Sequence, residues 1–329
     1  MQKIKANDIV HVSESVVRSL AQNRITTILE LLQEDVTKLI AVTKLNLPQI
    51  LAVRSDIFEK YSAPITNGIT LLDKKLKILR TGIQNLDTIL DGGLPVGTLT
   101  ELCGLADSGK TQFCCQLAIN CVKSDNNTVL YVDTKGDFSA IRIQKILDAS
   151  GFTHKEMAEI MYRIKVVRVW TLEETIELLQ SLKNKNPIED LNLIIIDSLP
   201  CLILQFLGDD NKIGLSMLNT LVNYSRYLCR ELEISMVCVN IQTRWVDQDV
   251  ADIEENDSTS TAMKDVYVEK RNRCLGKYWQ YIPNLVLLFN KSQSNDNNGE
   301  EIVLSVIKCN KPSIISRQCS LHISDLGVM

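Results

Sequence analysis

The sequence predicts an α/β protein: a mostly parallel sheet with helices on both faces, an antiparallel extension at one edge, and a small all-α domain in front. Three observations predict it. Gly104-Leu105-Ala106-Asp107-Ser108-Gly109-Lys110-Thr111 is a complete GxxxxGKT loop between an apolar run and a run of helical period. From Thr128 onward, short apolar runs alternate with helical stretches, as in a sheet whose parallel strands are joined through helices. Ahead of Ser62, helical periodicity recurs almost without strand patterning.

The bulk properties are consistent with a core domain plus a smaller one. The chain has 329 residues, of which 45% are apolar, enough for a large core. A net charge of −4 exerts no global pull on nucleic acid or anionic membrane, so any such binding must come from local patches. No leading apolar segment is built like a signal peptide and no apolar run approaches bilayer-spanning length, which predicts an intracellular protein that does not use a membrane. The ten cysteines lie scattered in apolar stretches and none forms a CxxC, while His11, His154 and His322 stand far apart. That predicts reduced, mostly core thiols and no zinc site.

In chain order, residues 1–61 form the helical domain. Glu14 to Gln22, Ile25 to Leu32, Val36 to Ile40 and Leu47 to Phe58 carry apolar residues at three-or-four spacing. Helices this short need one another to be stable. Such a bundle suits a DNA backbone, a partner protein or simple packing on the core. Residues 62–80 weaken the pattern with Pro64, Asn67 and Gly68 and add the basic Lys74-Lys75-Leu76-Lys77, which reads as a linker. The core is expected over 81–329.

Thr98 to Cys103 reads as a buried strand and Thr111 to Val122 as a helix, which puts the loop at a strand-to-helix turn. There, backbone N–H groups and the helix N-terminus surround phosphate oxygens, Lys110 reaches the outer phosphates and the Thr111 hydroxyl serves Mg²⁺. Gly104 and Gly109 suit the torsions and close approach that this needs. Asp107 places a negative charge inside an anion-binding loop, a cost unless it turns outward or pairs.

A phosphate loop needs a second carboxylate for the metal, at the end of a buried strand. Leu191 to Asp197 supplies it, with Asp197 expected to bind Mg²⁺ through its water shell. Val129 to Asp133, Ile164 to Val169, Leu193 to Asp197 and Ile234 to Asn240 read as the parallel strands, separated by helical stretches such as Leu172 to Leu182 and Ile213 to Leu232. Leu285 to Phe289, Ile302 to Lys308 and Cys319 to Ile323 lack intervening helices, which predicts the antiparallel extension.

The stretch TGIQNLDTILDGGLPVGTLTELCGLADSGKTQ resembles the entry to the RecA-like recombinase core. Nearly the whole chain resembles the eukaryotic Rad recombinase and its paralogues, which carry a small helical domain before that core. Within that family it is most similar to the D-paralogue subgroup, in ITTILELL through LAVRSDIFEKYSA, in Thr128 to Asp133, and in Leu275-Gly276-Lys277-Tyr278-Trp279 to Pro283. The resemblance implies an ATP-binding, Mg²⁺-using, nuclear DNA-repair protein of homologous recombination. It implies work inside a hetero-oligomer of paralogues that assists the main recombinase on single-stranded DNA, in break repair and fork protection. Lys311-Pro312 falls where the family caps a neighbouring subunit's nucleotide. The linker lacks the Phe-x-x-Ala pattern of self-polymerisation, which favours pairing with other paralogues.

Two departures bear on chemistry. Active recombinases end the second core strand in an Asp-Thr-Glu-Gly-like sequence whose Glu positions the attacking water, where this chain has Asp133-Thr134-Lys135-Gly136. Losing a general base costs about 10² to 10⁴ in rate, so weak ATPase activity is expected; Asp137 is a candidate substitute base but sits two residues on, against the geometric demand, and Lys135 is either solvated or reaching phosphate across a subunit boundary. The family's phosphate-sensing glutamine is matched by Ile241, with Gln242 beside it, and an apolar side chain has no hydrogen bond with which to distinguish ATP from ADP.

Thr243 to Cys274 corresponds to the family's loop for single-stranded DNA. Its first half is acidic (Asp247, Asp249, Asp252, Glu254, Glu255, Asp257), and Arg244, Lys264, Lys270, Arg271 and Arg273 are the candidate phosphate contacts. Trp245 and Tyr267 are candidates for stacking on bases; on composition alone the stretch equally reads as a solvated, disordered loop. Two other functions remain open: a self-sufficient DNA-dependent ATPase with strand-exchange activity, and a small-molecule phosphotransferase, for which no acceptor motif is present.

Overall fold

A computed structural model describes residues 3–6, 8–62, 67–69, 77–124, 127–184, 188–206, 212–246, 269–292 and 300–329. The chain divides into two compact units, Met1–Lys75 and Leu76–Met329.

The first unit is helical. Helices α1 (Glu14–Gln22), α2 (Ile28–Gln33), α3 (Val36–Thr43) and α4 (Leu47–Tyr61) turn Leu20, Leu31, Leu39, Val53 and Ile57 into one core. α2 begins at Ile28, later than the periodicity suggests, because Thr27 accepts from the Glu30 N–H and the Glu30 carboxylate accepts back from Thr27. Asp35 and Asn46 cap the next two helices through their side chains. α3 and α4 run on past Ile40 and Phe58.

The second unit opens with β1 (Ile78–Leu79), which pairs antiparallel with β2 (Leu94–Pro95) across α5 (Gln84–Ile89). The core therefore begins before Thr81, and Ile78 and Leu79 belong to it rather than to a linker. Next come β3 (Leu99–Gly104), α6 (Lys110–Ser124), β4 (Thr128–Asp133), α7 (Ala140–Ala149), α8 (His154–Arg163), β5 (Ile164–Arg168) and α9 (Leu172–Asn184). β6 (Leu191–Asp197), α10 (Leu199–Ile203), α11 (Lys212–Glu231) and β7 (Ser235–Val239) complete the alternating part. Then follow β8 (Gln242–Val246), β9 (Glu269–Arg273), α12 (Gly276–Gln280), β10 (Leu285–Lys291), β11 (Glu300–Cys309), β12 (Gln318–Ser324) and β13 (Gly327–Val328).

Nine strands form one sheet in the order β13-β12-β11-β10-β3-β7-β6-β4-β5. From β10 to β5 every pairing is parallel, and β11, β12 and β13 add the antiparallel edge that the missing helices predict. Alternation within a strand feeds two cores. Val129 and Tyr131 of β4 face one side, with Phe113, Leu117 and Phe289, while Leu130 and Val132 face the other, with Leu179, Leu221 and Trp279.

Cys103, Cys114, Cys115, Cys121, Cys229 and Cys238 are buried, as their apolar settings suggest, and form no disulfide among the described residues. Among the described residues, no single helix is long and apolar enough to cross a membrane, and no group of three or more His, Cys, Asp or Glu side chains could hold a metal.

Candidate nucleotide site

β3 lies at the centre of the sheet, between β10 and β7, and its chain next enters β4, three strands away beyond β7 and β6. A crevice at the carboxyl ends of parallel strands opens where the order switches in this way. The glycine loop fills that point. A Cβ at Gly104 would stand 2.5 Å from the Phe289 carbonyl oxygen and 2.7 Å from Ser108 Oγ, so the backbone passes where no side chain fits. Gly109 has φ +81°, the left-handed region.

Lys110 folds back over the loop. Its ammonium donates to the carbonyls of Gly104 (3.1 Å) and Leu105 (2.6 Å) and to Ser108 Oγ (3.0 Å). Burial pulls Lys110 below the usual lysine range, against the opposing pull of the Asp197 carboxylate. Asp107 turns outward: its side chain is 88% exposed and Lys291 of β10 stands 3.4 Å from Oδ2. The charge that the sequence leaves unexplained is exposed and paired with Lys291.

Asp197, at the end of β6, is buried. Its Oδ2 accepts from the Thr111 hydroxyl at 2.7 Å and from the Tyr131 hydroxyl at 2.9 Å. Its Oδ1 accepts no hydrogen bond. Lys135 stands 3.3 Å from that oxygen and 3.1 Å from Asp137 Oδ2. Burial would lower Lys135, but the two carboxylates outweigh it and hold the ammonium above the usual range. Lys135 is 26% exposed and ion-paired, so the reading of it as a solvated lysine is corrected. Asp137, the substitute base of the sequence reading, is occupied by this ion pair.

The turn carrying Lys135 is built by residues that sequence reading passes over. Asp133 Oδ1 accepts the backbone N–H groups of Lys135, Gly136 and Asp137, and Oδ2 accepts that of Phe138. The Thr134 hydroxyl donates to the Ser198 carbonyl at 2.8 Å and accepts from the Ser198 N–H at 2.7 Å, tying the turn to the end of β6.

A cavity of about 360 Å³ lies over these groups, lined by Ala106 to Gln112, Lys135, Asp137, Ser198, Val239 and Ile241. Ile241 thus reaches the cavity as the family position implies. Gln242 instead opens β8, opposite Arg273. Gln112 is shared with a second cavity of about 820 Å³ between α7 and β12. Its wall includes Arg142, which donates to Gln112 Oε1 (2.8 Å) and to the carbonyls of Ser324 (2.5 Å) and Asp325 (2.8 Å). No spacing in the sequence marks Arg142, whose partners come from α6 and the far edge of the sheet.

The candidate DNA segment has an ordered root. β8 and β9 pair antiparallel, with Arg244 opposite Arg271, so these two exposed side chains share a face. The two ends of the stretch are therefore paired strands, while residues 247–268 between them lie outside the described residues. Arg273 differs from them: its guanidinium lies 3.0 Å from Glu101 Oε2, on fully buried β3, and Asn240 donates to the other Glu101 oxygen at 2.8 Å. Arg273 is corrected from phosphate contact to structural anchor. Trp245 and Lys270 lie on β8 and β9, their side chains outside the described residues, as are Lys264, Tyr267 and the acidic run from Asp247 to Asp257. Lys311 and Pro312 are exposed at the turn after β11.

Comparison with known proteins adds the family. The Rad51 family model matches residues 73–259, more than half of the chain. The chain is 27% identical over 305 residues to the bovine (Bos taurus) DNA repair protein RAD51 homolog 4, covering 90% of this chain and 87% of that one. It is 31% identical over 231 residues to the Arabidopsis thaliana DNA repair protein RAD51 homolog 2, covering 63% and 61%. In fold it is similar to the crystal structure of the RadB recombinase, with a TM-score of 0.58 at 20% identity over 76% of this chain and 98% of that one. With the glycine loop on the central strand and the family model spanning it, this chain belongs to the Rad51 family.

Proposed function

We propose that this chain binds ATP and works in the nucleus in DNA repair by homologous recombination. It acts as a member of a complex of recombinase paralogues that helps the main recombinase on single-stranded DNA. The observation that carries the reading is a cavity at the switch point of the sheet lined by Lys110 and Thr111, with the Thr111 hydroxyl bonded to the buried Asp197 carboxylate. The neighbouring cavity beside Arg142 offers room for a base and ribose.

The residues suit a magnesium ion. Thr111 and Asp197 would hold it, Asp197 Oδ1 being a buried carboxylate oxygen that accepts no hydrogen bond but has the Lys135 ammonium 3.3 Å away, which a bound ion would have to displace. Bound there, magnesium supplies charge neutralisation of the phosphates. The chain's own part is to cradle the phosphates with loop amides and to bring Lys110 onto them as its loop bonds exchange for phosphate bonds. With Lys135 in place of a base, water is not activated and turnover is slow. ATP then serves chiefly as a structural ligand whose binding favours the assembled conformation. Arg244 and Arg271 are the DNA contacts that this reading keeps.

The test is nucleotide binding and turnover, with and without single-stranded DNA, alone and with paralogues. Lys110→Ala should abolish binding and weaken nucleotide-dependent copurification of a paralogue. Rapid DNA-stimulated hydrolysis by the isolated chain would contradict the proposal. So would full complex assembly by the Lys110→Ala variant.

A further inference from the structure

Lys135 brings a positive charge to the place where a nucleotide pocket otherwise depends on a metal ion. Asp197 Oδ2 already accepts from two hydroxyls, those of Thr111 and Tyr131. Oδ1 is the remaining oxygen, and the Lys135 ammonium stands 3.3 Å from it. Lys135 also lines the cavity, with Lys110 and Thr111.

This charge is held in place. Asp133 gathers the amides of the turn and Thr134 is bonded to Ser198 in both directions, so the backbone under Lys135 is fixed against the end of β6. Asp137 Oδ2, at 3.1 Å, is a second carboxylate partner of the ammonium.

Two consequences follow from Coulomb's law. A cation fixed at the cavity wall attracts the phosphates of any bound nucleotide. It also repels a second cation brought to the same carboxylate, and both effects are strong where water is partly excluded.

We propose that Lys135 is a built-in cation of this pocket, which lets the chain hold a nucleoside triphosphate with little help from magnesium. The proposal rests on the reading of the pocket as a nucleotide site. It differs from that reading in assigning the charge balance to a side chain.

The experiment is a titration of the full chain with a fluorescent ATP analogue, once in excess magnesium and once in EDTA. Wild type should change affinity by less than about threefold between the two buffers, and Lys135→Arg, which keeps the charge, should behave alike. Lys135→Met should lose about tenfold on metal removal, and Lys135→Glu should lose more, since its carboxylate needs the metal. A wild type that binds in magnesium but loses tenfold or so in EDTA overturns the proposal while leaving the nucleotide site standing. Equal metal dependence in wild type and Lys135→Met overturns it as well. Absence of binding by wild type in both buffers overturns the nucleotide reading and the proposal together. The wild-type pair of titrations decides the matter even where a variant folds poorly.

Discussion

Arg273 and Glu101 meet at 3.0 Å beneath the paired root of β8 and β9. With Asn240 on the other carboxylate oxygen, the pair ties both ends of that hairpin to the strand leading into the phosphate loop. Breaking a buried pair leaves an uncompensated charge, so Arg273→Ala should cost about 3 kcal/mol in urea unfolding, the low end for such pairs because Arg273 keeps some solvent contact. Arg244→Ala and Arg271→Ala, on the exposed face, should stay within about 0.5 kcal/mol of wild type and show their effect in the salt-dependent binding of single-stranded DNA.

The same carboxyl group makes stability depend on pH. Burial raises Glu101 above its ordinary 4.5, against the opposing pull of Arg273. The folded chain therefore holds that proton more tightly than the unfolded chain. This contribution is fully present below 4.5 and is lost as pH rises through the elevated value. Unfolding free energies of wild type and Glu101→Gln, compared from pH 4 upward, should show wild type losing ground to the variant across that window. A flat difference would refute the assignment.

Asp107 and Lys291 make a weaker claim. Their ion pair is largely exposed, and such pairs contribute little. Lys291→Ala should weaken ATP-analogue binding by no more than about fivefold at low salt, and Asp107→Asn on that background should restore it, because the unpaired charge beside the loop is then gone. Isothermal titration of the two variants checks both directions.

Thiol chemistry offers an independent view of the core. Burial pushes Cys103 up to about 12, with Glu101 adding to it, and pushes Cys115 and Cys229 equally high. Cys201 is exposed, beside Ser198. Iodoacetamide at pH 8 should label Cys201 first in the native protein and reach the buried set only on unfolding, as peptide mass mapping can show.

What the sequence makes legible is what lies close together in it. The phosphate loop spans eight consecutive positions, and Asp197 closes an unbroken apolar run, so both can be read from local pattern. The parallel strands follow from the same kind of signal. Residues whose partners are remote are hidden. Asp107 is explained by Lys291 on β10, 184 residues away in sequence, and Arg273 takes its role from Glu101 on β3, 172 residues away. Both are charged residues that composition places on a surface. The β8–β9 pairing is masked by the long acidic, polar segment between its strands, and β1 by the basic residues before it. Lys135 is visible as an exception to a motif, but its grip on Asp197 depends on Thr134 joining two strands through Ser198.

The Asp133 turn leaves one wider consequence. Its shape is set by a carboxylate and four main-chain amides, none of which belongs to the side chain at position 135. That position is a socket whose frame is indifferent to its occupant. A single codon change can exchange one terminal group for another there, altering the pocket's electrical character while the scaffold stays as it is.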